Sequence, residues 1–127
     1  MQPSTVDRLK LSAPEAQALG EAAMQGAGFD AEEARILTDH VMDAALCGYE
    51  YSGLPKLLNV IDDPKFKVPR RPIAIIKDSG AAALLDGGDN TGIIALKRAM
   101  DIAIERAETH GLAIVCLANS WMSGRSA

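Results

Sequence analysis

The chain has 127 residues, of which 48% are hydrophobic and 24% charged, so it holds enough apolar material for one core. Its formal net charge is -4, from 13 basic and 17 acidic residues, and the only basic cluster is short and bounded by proline, which argues against a nucleic-acid-binding protein. No apolar stretch approaches the ~20 residues of a membrane span and no secretory signal is present, so we expect a cytoplasmic protein with no membrane association.

Capping boxes predict the first two helices. In Ser12-Ala13-Pro14-Glu15, the serine oxygen and the glutamate carboxylate can satisfy the free amides of a first turn. Asp30 and Glu33 repeat this arrangement for the second helix. We expect the first helix over Ala13–Gln25, ended by Gly26 and Gly28, and the second from the Asp30 cap to near Cys47-Gly48.

A glycine-flanked turn at residues 48–53 follows and contains both tyrosines, Tyr49 and Tyr51. Ser52 is placed to cap a third helix. The apolar residues of that helix fall at helical spacing: Leu54, Leu57, Leu58 and Ile61. The segment Asp62–Pro72 is rich in proline and basic residues, so we expect it to be a solvated connector between a helical layer and a sheet.

The second half of the chain predicts a sheet. Ile73–Ile76 and Ala82–Leu85 are short apolar runs separated by a turn, typical of an antiparallel pair. A long amphipathic helix is expected over Thr91–His110, followed by a strand over Leu112–Leu117. Strand, helix and strand in this order form a crossover unit, which is right-handed if the strands are parallel.

The predicted fold class is therefore α/β (α+β), with an N-terminal helical layer followed by a strand-strand-helix-strand unit. We expect a helical region with its connector over residues 1–72 and the start of a sheet-containing domain over residues 73–127. Ligands of open α/β sheets bind beyond the carboxyl ends of strands. The polar segment 119–127 follows the last predicted strand, so we expect this domain to need a further C-terminal segment or a second chain.

Several polar residues favour structural roles over chemical ones. Residues 85–92 open a helix after a strand but match no phosphate-binding motif, and their aspartates would repel an anion. His40 and His110 lack partners at metal-ligand spacing, so no metal site is predicted. Cys47 and Cys116 lie in apolar runs without CxxC spacing, which predicts buried reduced thiols.

The chain resembles the N-terminal part of the malate/L-lactate dehydrogenase family. The resemblance covers nearly the whole chain but only about the first third of such an enzyme. It implies the family's non-Rossmann fold, NAD or NADP as cofactor, a small carboxylate substrate and a homodimer of the completed unit. The features that carry it are the capped helices, the turn after Cys47, Leu84–Gly87 with Gly92, Ala99-Met100 and Ala103-Ile104 in the long helix, Gly111–Val115, and Asn119-Ser120 with Gly124.

The departures from the family pattern concern its chemistry. The family phrase R-G-x-x-S-H-G-x-x-R corresponds to residues 47–56, where Ser52 occupies the position of the catalytic histidine and Cys47 that of the first arginine. Lys56 replaces the second arginine, the clamp for the substrate carboxylate, and keeps its charge without the bidentate geometry. In the second phrase, N-S-x-H-x-G, Met122 stands in place of the histidine.

The loss of both histidines bears on the substrate. Reduction of a ketone needs a proton donor with a pKa near neutrality, whereas hydride addition to an iminium carbon does not. The resemblance therefore favours a cyclic imino acid over a 2-keto acid. Ser52, Tyr51 and Tyr49 are the candidate catalytic residues. The candidate substrate-binding residues are Lys56, Asn119 and Ser120. We expect the three turn residues, together with Asn119 and Ser120, to line one pocket that the further segment or chain completes.

Two alternatives stay open besides an NAD(P)H-dependent oxidoreductase. One is a non-redox enzyme on the same fold, assembled from two chains after cleavage beyond Ala127. The other is an inactive binding remnant of the family. The sequence does not assign any cofactor-binding residue.

Overall fold

The computed structural model describes residues 8–125, with helices first along the chain and a small sheet after them. This arrangement confirms the predicted fold class. The helices are α1 (Ala13–Ala27), α2 (Ala31–Leu46), α3 (Lys56–Asp62) and α4 (Gly92–His110). The strands are β1 (Ala74–Asp78), β2 (Ala82–Thr91) and β3 (Ile114–Trp121), and short 3-10 turns lie at Glu50–Ser52 and Pro64–Lys67.

Both predicted capping boxes are present. The Glu15 amide donates to the Ser12 hydroxyl oxygen at 3.3 Å, and the Glu33 amide donates to the Asp30 carboxylate at 2.8 Å. Each glutamate carboxylate accepts from the amide of its cap residue in return. Helix α1 ends at Gly28, whose φ of 112° only glycine adopts readily. The cap residues therefore fixed both helix starts.

Helices α1 and α2 cross closely at Gly20 and Thr38. A β-carbon on Gly20 would lie 2.6 Å from the Thr38 Cγ2 atom, so the helices approach this closely because the glycine has no side chain. Thr38 is fully buried, and its hydroxyl has no hydrogen-bond partner among the described residues. The close crossing thus leaves the buried Thr38 hydroxyl without a hydrogen bond within residues 8–125, which lowers stability.

The predicted cap of the third helix is wrong. Ser52 lies in the 3-10 turn Glu50–Ser52 and is only 2% exposed. Helix α3 begins at Lys56, after Pro55, and has no side-chain cap. Proline suits this position because a first turn does not use its amide. Within α3, Leu57 is buried whereas Leu58 is 62% exposed, so only part of the predicted apolar set packs inward.

The three strands form one sheet in the order β1-β2-β3. Strand β1 is antiparallel to β2. Strands β2 and β3 are parallel neighbours connected by α4, which confirms the predicted antiparallel pair and crossover unit. Both later strands run beyond their predicted ends. Asn90 and Thr91 of β2 are paired with Ser120 and Trp121 of β3, so segments that appeared to be polar loops are strand.

One core cluster draws on both halves of the chain. Leu37 and Val41 of α2 share it with Val60 of α3, Ile93 of α4 and Trp121 of β3. A smaller cluster lies between the sheet and α4. The core thus crosses position 72, and the division into regions 1–72 and 73–127 stays a prediction.

The prediction of buried cysteines is wrong, because Cys47 and Cys116 are both exposed. Cys47 follows the last residue of α2. Cys116 alternates along β3 with Val115 and Leu117, which pack toward α4, so its thiol lies on the opposite, uncovered face of the sheet. Between residues 8 and 125, no helix has the length and apolar character needed to cross a membrane.

Candidate functional site

The irregular end of β2, residues 86–90, is a polar cluster that we call the β2 junction. The Asp86 carboxylate accepts hydrogen bonds from the Gly88 amide at 2.9 Å, the Arg71 guanidinium at 2.8 Å and the Asn119 amide group at 3.1 Å. These donors, the Gly88 amide first, lower the pKa of Asp86 to about 2. Asp86 therefore links the connector to the last strand.

The backbone of the β2 junction is unusual. Gly88, Asp89 and Asn119 all have positive φ angles, of 61°, 58° and 54°. The Asn90 side chain, which is buried, donates to the Arg71 carbonyl at 2.9 Å and to the Gly87 carbonyl at 2.8 Å. One bond satisfies the Gly87 carbonyl, where the register between β2 and β3 shifts, and the other satisfies the Arg71 carbonyl of the connector.

The connector is exposed over most of its length, as the sequence predicts, but two of its arginines contact other parts of the fold. Arg70 forms an ion pair with Glu33 at 2.7 Å, and its guanidinium lies 4.9 Å from the centre of the Phe29 ring. Arg71 forms ion pairs with Asp86 and with Asp89. The two arginines thus connect the connector to α2 and to the β2 junction, so these two basic residues stabilise the fold.

The start of α4 does not fit a cofactor diphosphate. A β-carbon on Gly92 would lie 2.9 Å from the Ser123 Cα atom, so the segment after β3 already covers this helix end. The aspartates of the β2 junction precede it and would repel an anion. This agrees with the structural role predicted for residues 85–92.

The pKa of Asp86 predicts how stability depends on pH. A carboxyl whose pKa is lower in the folded chain than its unfolded value of about 3.9 stabilises the fold above that pH, and this contribution is lost as the pH falls through about 2. We expect Asp86→Asn to flatten the fall in the urea unfolding midpoint between about pH 4 and pH 2. Parallel curves for the two proteins would contradict the assignment.

The turn after α2 presents the predicted catalytic residues differently. Tyr49 is 50% exposed and Tyr51 76% exposed, whereas Ser52 is buried. Lys56 is half-buried at the start of α3. The two phenol groups are therefore accessible to a ligand, and the Ser52 hydroxyl is reached only through its neighbours.

Arg125, in the segment after β3, contacts the end of α2 and the turn. Its backbone amide donates to His40 Nε2 at 3.1 Å, and its guanidinium bonds Asp43 at 3.1 Å. The guanidinium also lies 4.8 Å from the centre of the Tyr49 ring. The pKa of Arg125 is raised, first by its hydrogen bond with Cys47. Burial lowers the pKa of His40 despite the opposing charge of Asp43, with a smaller contribution from the Arg125 charge, and a neutral imidazole can accept this bond.

The structure brings part of the predicted site together. Tyr49 lies against the segment after β3, through Arg125. Asn119 instead contacts Asp86, and Ser120 lies in β3, paired with Asn90. Among residues 8–125, no hydrogen bond or ring contact joins these two residues to the turn after α2. The single pocket for the three turn residues with Asn119 and Ser120 stays a prediction.

Sequence reasoning missed the cluster around Arg125. Its members on α2 share one helix face, since His40 and Asp43 are three residues apart. A cavity of about 520 Å³ between α2 and α4 opens beside them and includes Arg125 and His40 in its lining. The helical spacing was a usable signal, but nothing in the sequence indicated that Arg125, 82 to 85 residues further along the chain, would contact this face of α2.

Comparisons with known proteins agree with the resemblance. The family model described as malate/L-lactate dehydrogenase matches residues 11–127. Hydroxycarboxylate dehydrogenase B of Escherichia coli O157:H7 is 32% identical over 108 residues, which cover 83% of this chain and 30% of that protein. Malate dehydrogenase of Pyrococcus abyssi is 35% identical over 95 residues, which cover 73% of this chain and 26% of that protein.

Solved structures of similar proteins share the fold. A putative malate/lactate dehydrogenase from E. coli superposes with a TM-score of 0.82 at 29% identity, over 93% of this chain and 34% of that one. Malate dehydrogenase from Pyrococcus horikoshii OT3 gives a TM-score of 0.85 at 27% identity, over 97% of this chain and 36% of that one. The chain thus spans about a third of the length of the proteins that it matches.

Proposed function

The chain belongs to the malate/L-lactate dehydrogenase family, and from this premise we propose that it is the N-terminal portion of an NAD(P)-dependent oxidoreductase that reduces a small cyclic imino acid. The observation that carries the substrate class is the residue at the position of the family's catalytic histidine, which is the buried Ser52. Met122 at the second histidine position adds to it. Neither side chain can donate a proton near neutral pH.

The two substrate classes differ at the heteroatom bonded to the carbon that receives the hydride, which is oxygen in a ketone and nitrogen in an iminium ion. A ketone that gains a hydride becomes an alkoxide and needs a proton from a positioned acid. An iminium carbon is already electron-poor, and hydride addition leaves a neutral amine without a proton donor. When bound, NAD(P)H would supply the hydride. A site without either histidine therefore suits the imino acid better.

The residues of this chain would bind and orient the substrate. Lys56 would meet the substrate carboxylate with a charge-assisted hydrogen bond. Asn119 and Ser120 would orient the substrate from β3, and the exposed phenols of Tyr49 and Tyr51 would flank it from the turn. The buried Ser52 hydroxyl would act only as a relay behind them.

The remaining partners are proposed from uncovered apolar surface. Leu96, Met100 and Ile104 of α4 are exposed, as are Ile76 of β1 and Ile114 of β3. Exposed apolar patches of this kind mark interfaces. We infer that a further polypeptide, a C-terminal segment or a second chain, covers them and holds the cofactor-binding residues, and that the completed unit is a cytoplasmic homodimer.

The proposal is tested on the complete native protein, after an intact mass has established whether a second polypeptide accompanies this chain. NADH or NADPH is mixed with a six-membered cyclic imino acid, pyruvate or oxaloacetate, and the loss of nicotinamide absorbance is followed. We expect a higher kcat/KM for the imino acid than for either 2-oxo acid. A higher value for a 2-oxo acid would contradict the substrate class, and no oxidation with any of them would contradict the oxidoreductase.

A further inference from the structure

Arg125 is held against α2 by its backbone as well as by its side chain. Gly124, the preceding residue, has a φ of 71°, and a β-carbon there would lie 2.5 Å from His40 Nε2. The segment after β3 therefore packs directly onto the imidazole. The Arg125 amide then donates to the same Nε2 atom at 3.1 Å. The packing of the Gly124 and Arg125 backbone on His40 thus fixes the point from which the guanidinium side chain extends.

The guanidinium contacts the turn after α2 at Tyr49. It lies over the Tyr49 ring, 4.8 Å from its centre. The Arg125 side chain is 24% exposed, so this contact is partly shielded from water. An arginine can stack on an aromatic ring and donate in the ring's plane at the same time, which a lysine cannot do.

The ion pair with Asp43 contributes less. The Asp43 side chain is 74% exposed, and such a pair is weakened by solvent and salt. The contacts that distinguish Arg125 from an ordinary surface arginine are therefore those with His40 and Tyr49. Both join the segment after β3 to the end of α2 and its turn.

We propose that Arg125 is a positioning residue, which holds the turn carrying Tyr49 against the segment after β3 and so fixes the two halves of the substrate site relative to each other. The turn leads into Lys56, and β3 carries Asn119 and Ser120. A substrate that contacts both halves needs them at one spacing, because small displacements of binding groups are costly in rate. This inference deepens the proposed function and rests on it for its effect on catalysis.

The first measurement reports on the contact and does not depend on activity. In the complete native protein, hydrogen exchange of the backbone amides of Ser52 and Gly53, which donate to the Tyr49 and Glu50 carbonyls, is followed by peptide mass spectrometry. An amide exchanges faster when the segment that holds its hydrogen bond opens more often. We expect Arg125→Met to speed exchange in the turn at residues 48–53 and to leave exchange in α1 unchanged.

The second measurement is kcat/KM with the cyclic imino acid and NAD(P)H. We expect Arg125→Met to lower it about threefold to tenfold, mainly through KM, and Arg125→Lys to recover part of the loss because the charge over the ring remains. Arg98→Met is the matched control, since Arg98 of α4 is exposed and has no ion pair within residues 8–125.

The outcomes separate the contact, the positioning role and the proposed function. Faster exchange in the turn with a lower kcat/KM supports the proposal. Faster exchange with an unchanged kcat/KM overturns the positioning role, and unchanged exchange in the turn overturns the contact itself. A complete protein without oxidoreductase activity refutes the proposed function instead, and the exchange result still decides whether Arg125 holds the turn.

Discussion

Replacing Gly88 with alanine is expected to lower the free energy of unfolding by about 3 kcal/mol or more, as measured by urea denaturation. Gly88 has a φ of 61°, and a β-carbon there would lie 2.1 Å from the Arg71 carbonyl oxygen. The left-handed conformation costs alanine about 1–2 kcal/mol. The contact with a backbone carbonyl adds to this, because neither strand nor connector can move aside without breaking the hydrogen bond from the Arg71 amide to the Gly88 carbonyl.

Gly111→Ala is the matched control for this prediction. Gly111 ends α4 with a φ of 83°, and a β-carbon there would meet no atom within 4 Å. The control therefore carries the conformational cost alone, about 1–2 kcal/mol. Equal losses of stability in the two variants would show that the close approach of Arg71 is not a constraint in solution.

Lys56→Ala is expected to raise the KM for the carboxylate substrate about 10- to 150-fold, the loss that follows from removing a hydrogen bond to a charged group. Lys56 is half-buried at the start of α3 and forms no ion pair within residues 8–125, so its removal should hardly change the unfolding free energy. The measurement is a comparison of KM and kcat for the complete protein with its best substrate.

Two further variants make the result specific. Lys65→Ala removes an exposed lysine of the connector and is expected to leave KM unchanged. Lys56→Arg restores the residue type that the family uses at this position and is expected to retain binding, since arginine can engage a carboxylate with two donors. An unaltered KM in Lys56→Ala would remove Lys56 from the substrate site.

Local signals predicted the helices better than the strands. The capping boxes at Ser12 and Asp30 act within four residues, so the sequence contains all that is needed to place them. Helix α3 was misplaced because Ser52 and Pro55 both suit a helix start, and only packing decides between them. The strand ends were missed because Asn90 and Ser120 are polar residues that pair across a register shift.

The candidate site was less predictable than the fold. The resemblance identified the turn and the segment after β3, and the structure places Tyr49 beside that segment. Arg125 was missed, since its contacts with His40 and Tyr49 depend on the path of β3 and on the φ of Gly124. The exposure of the cysteines was missed as well, because an apolar run does not reveal which face of a strand or helix end will be covered.

The core that crosses position 72 has a consequence for synthesis on the ribosome. Leu37 and Val41 share their cluster with Trp121, so α2 leaves the exit tunnel long before the strand that completes its packing. Contacts between such distant residues slow folding and leave apolar surface open in the meantime. The apolar faces of the nascent helices therefore stay uncovered until β3 emerges, and a pause in translation before that strand would prolong their exposure.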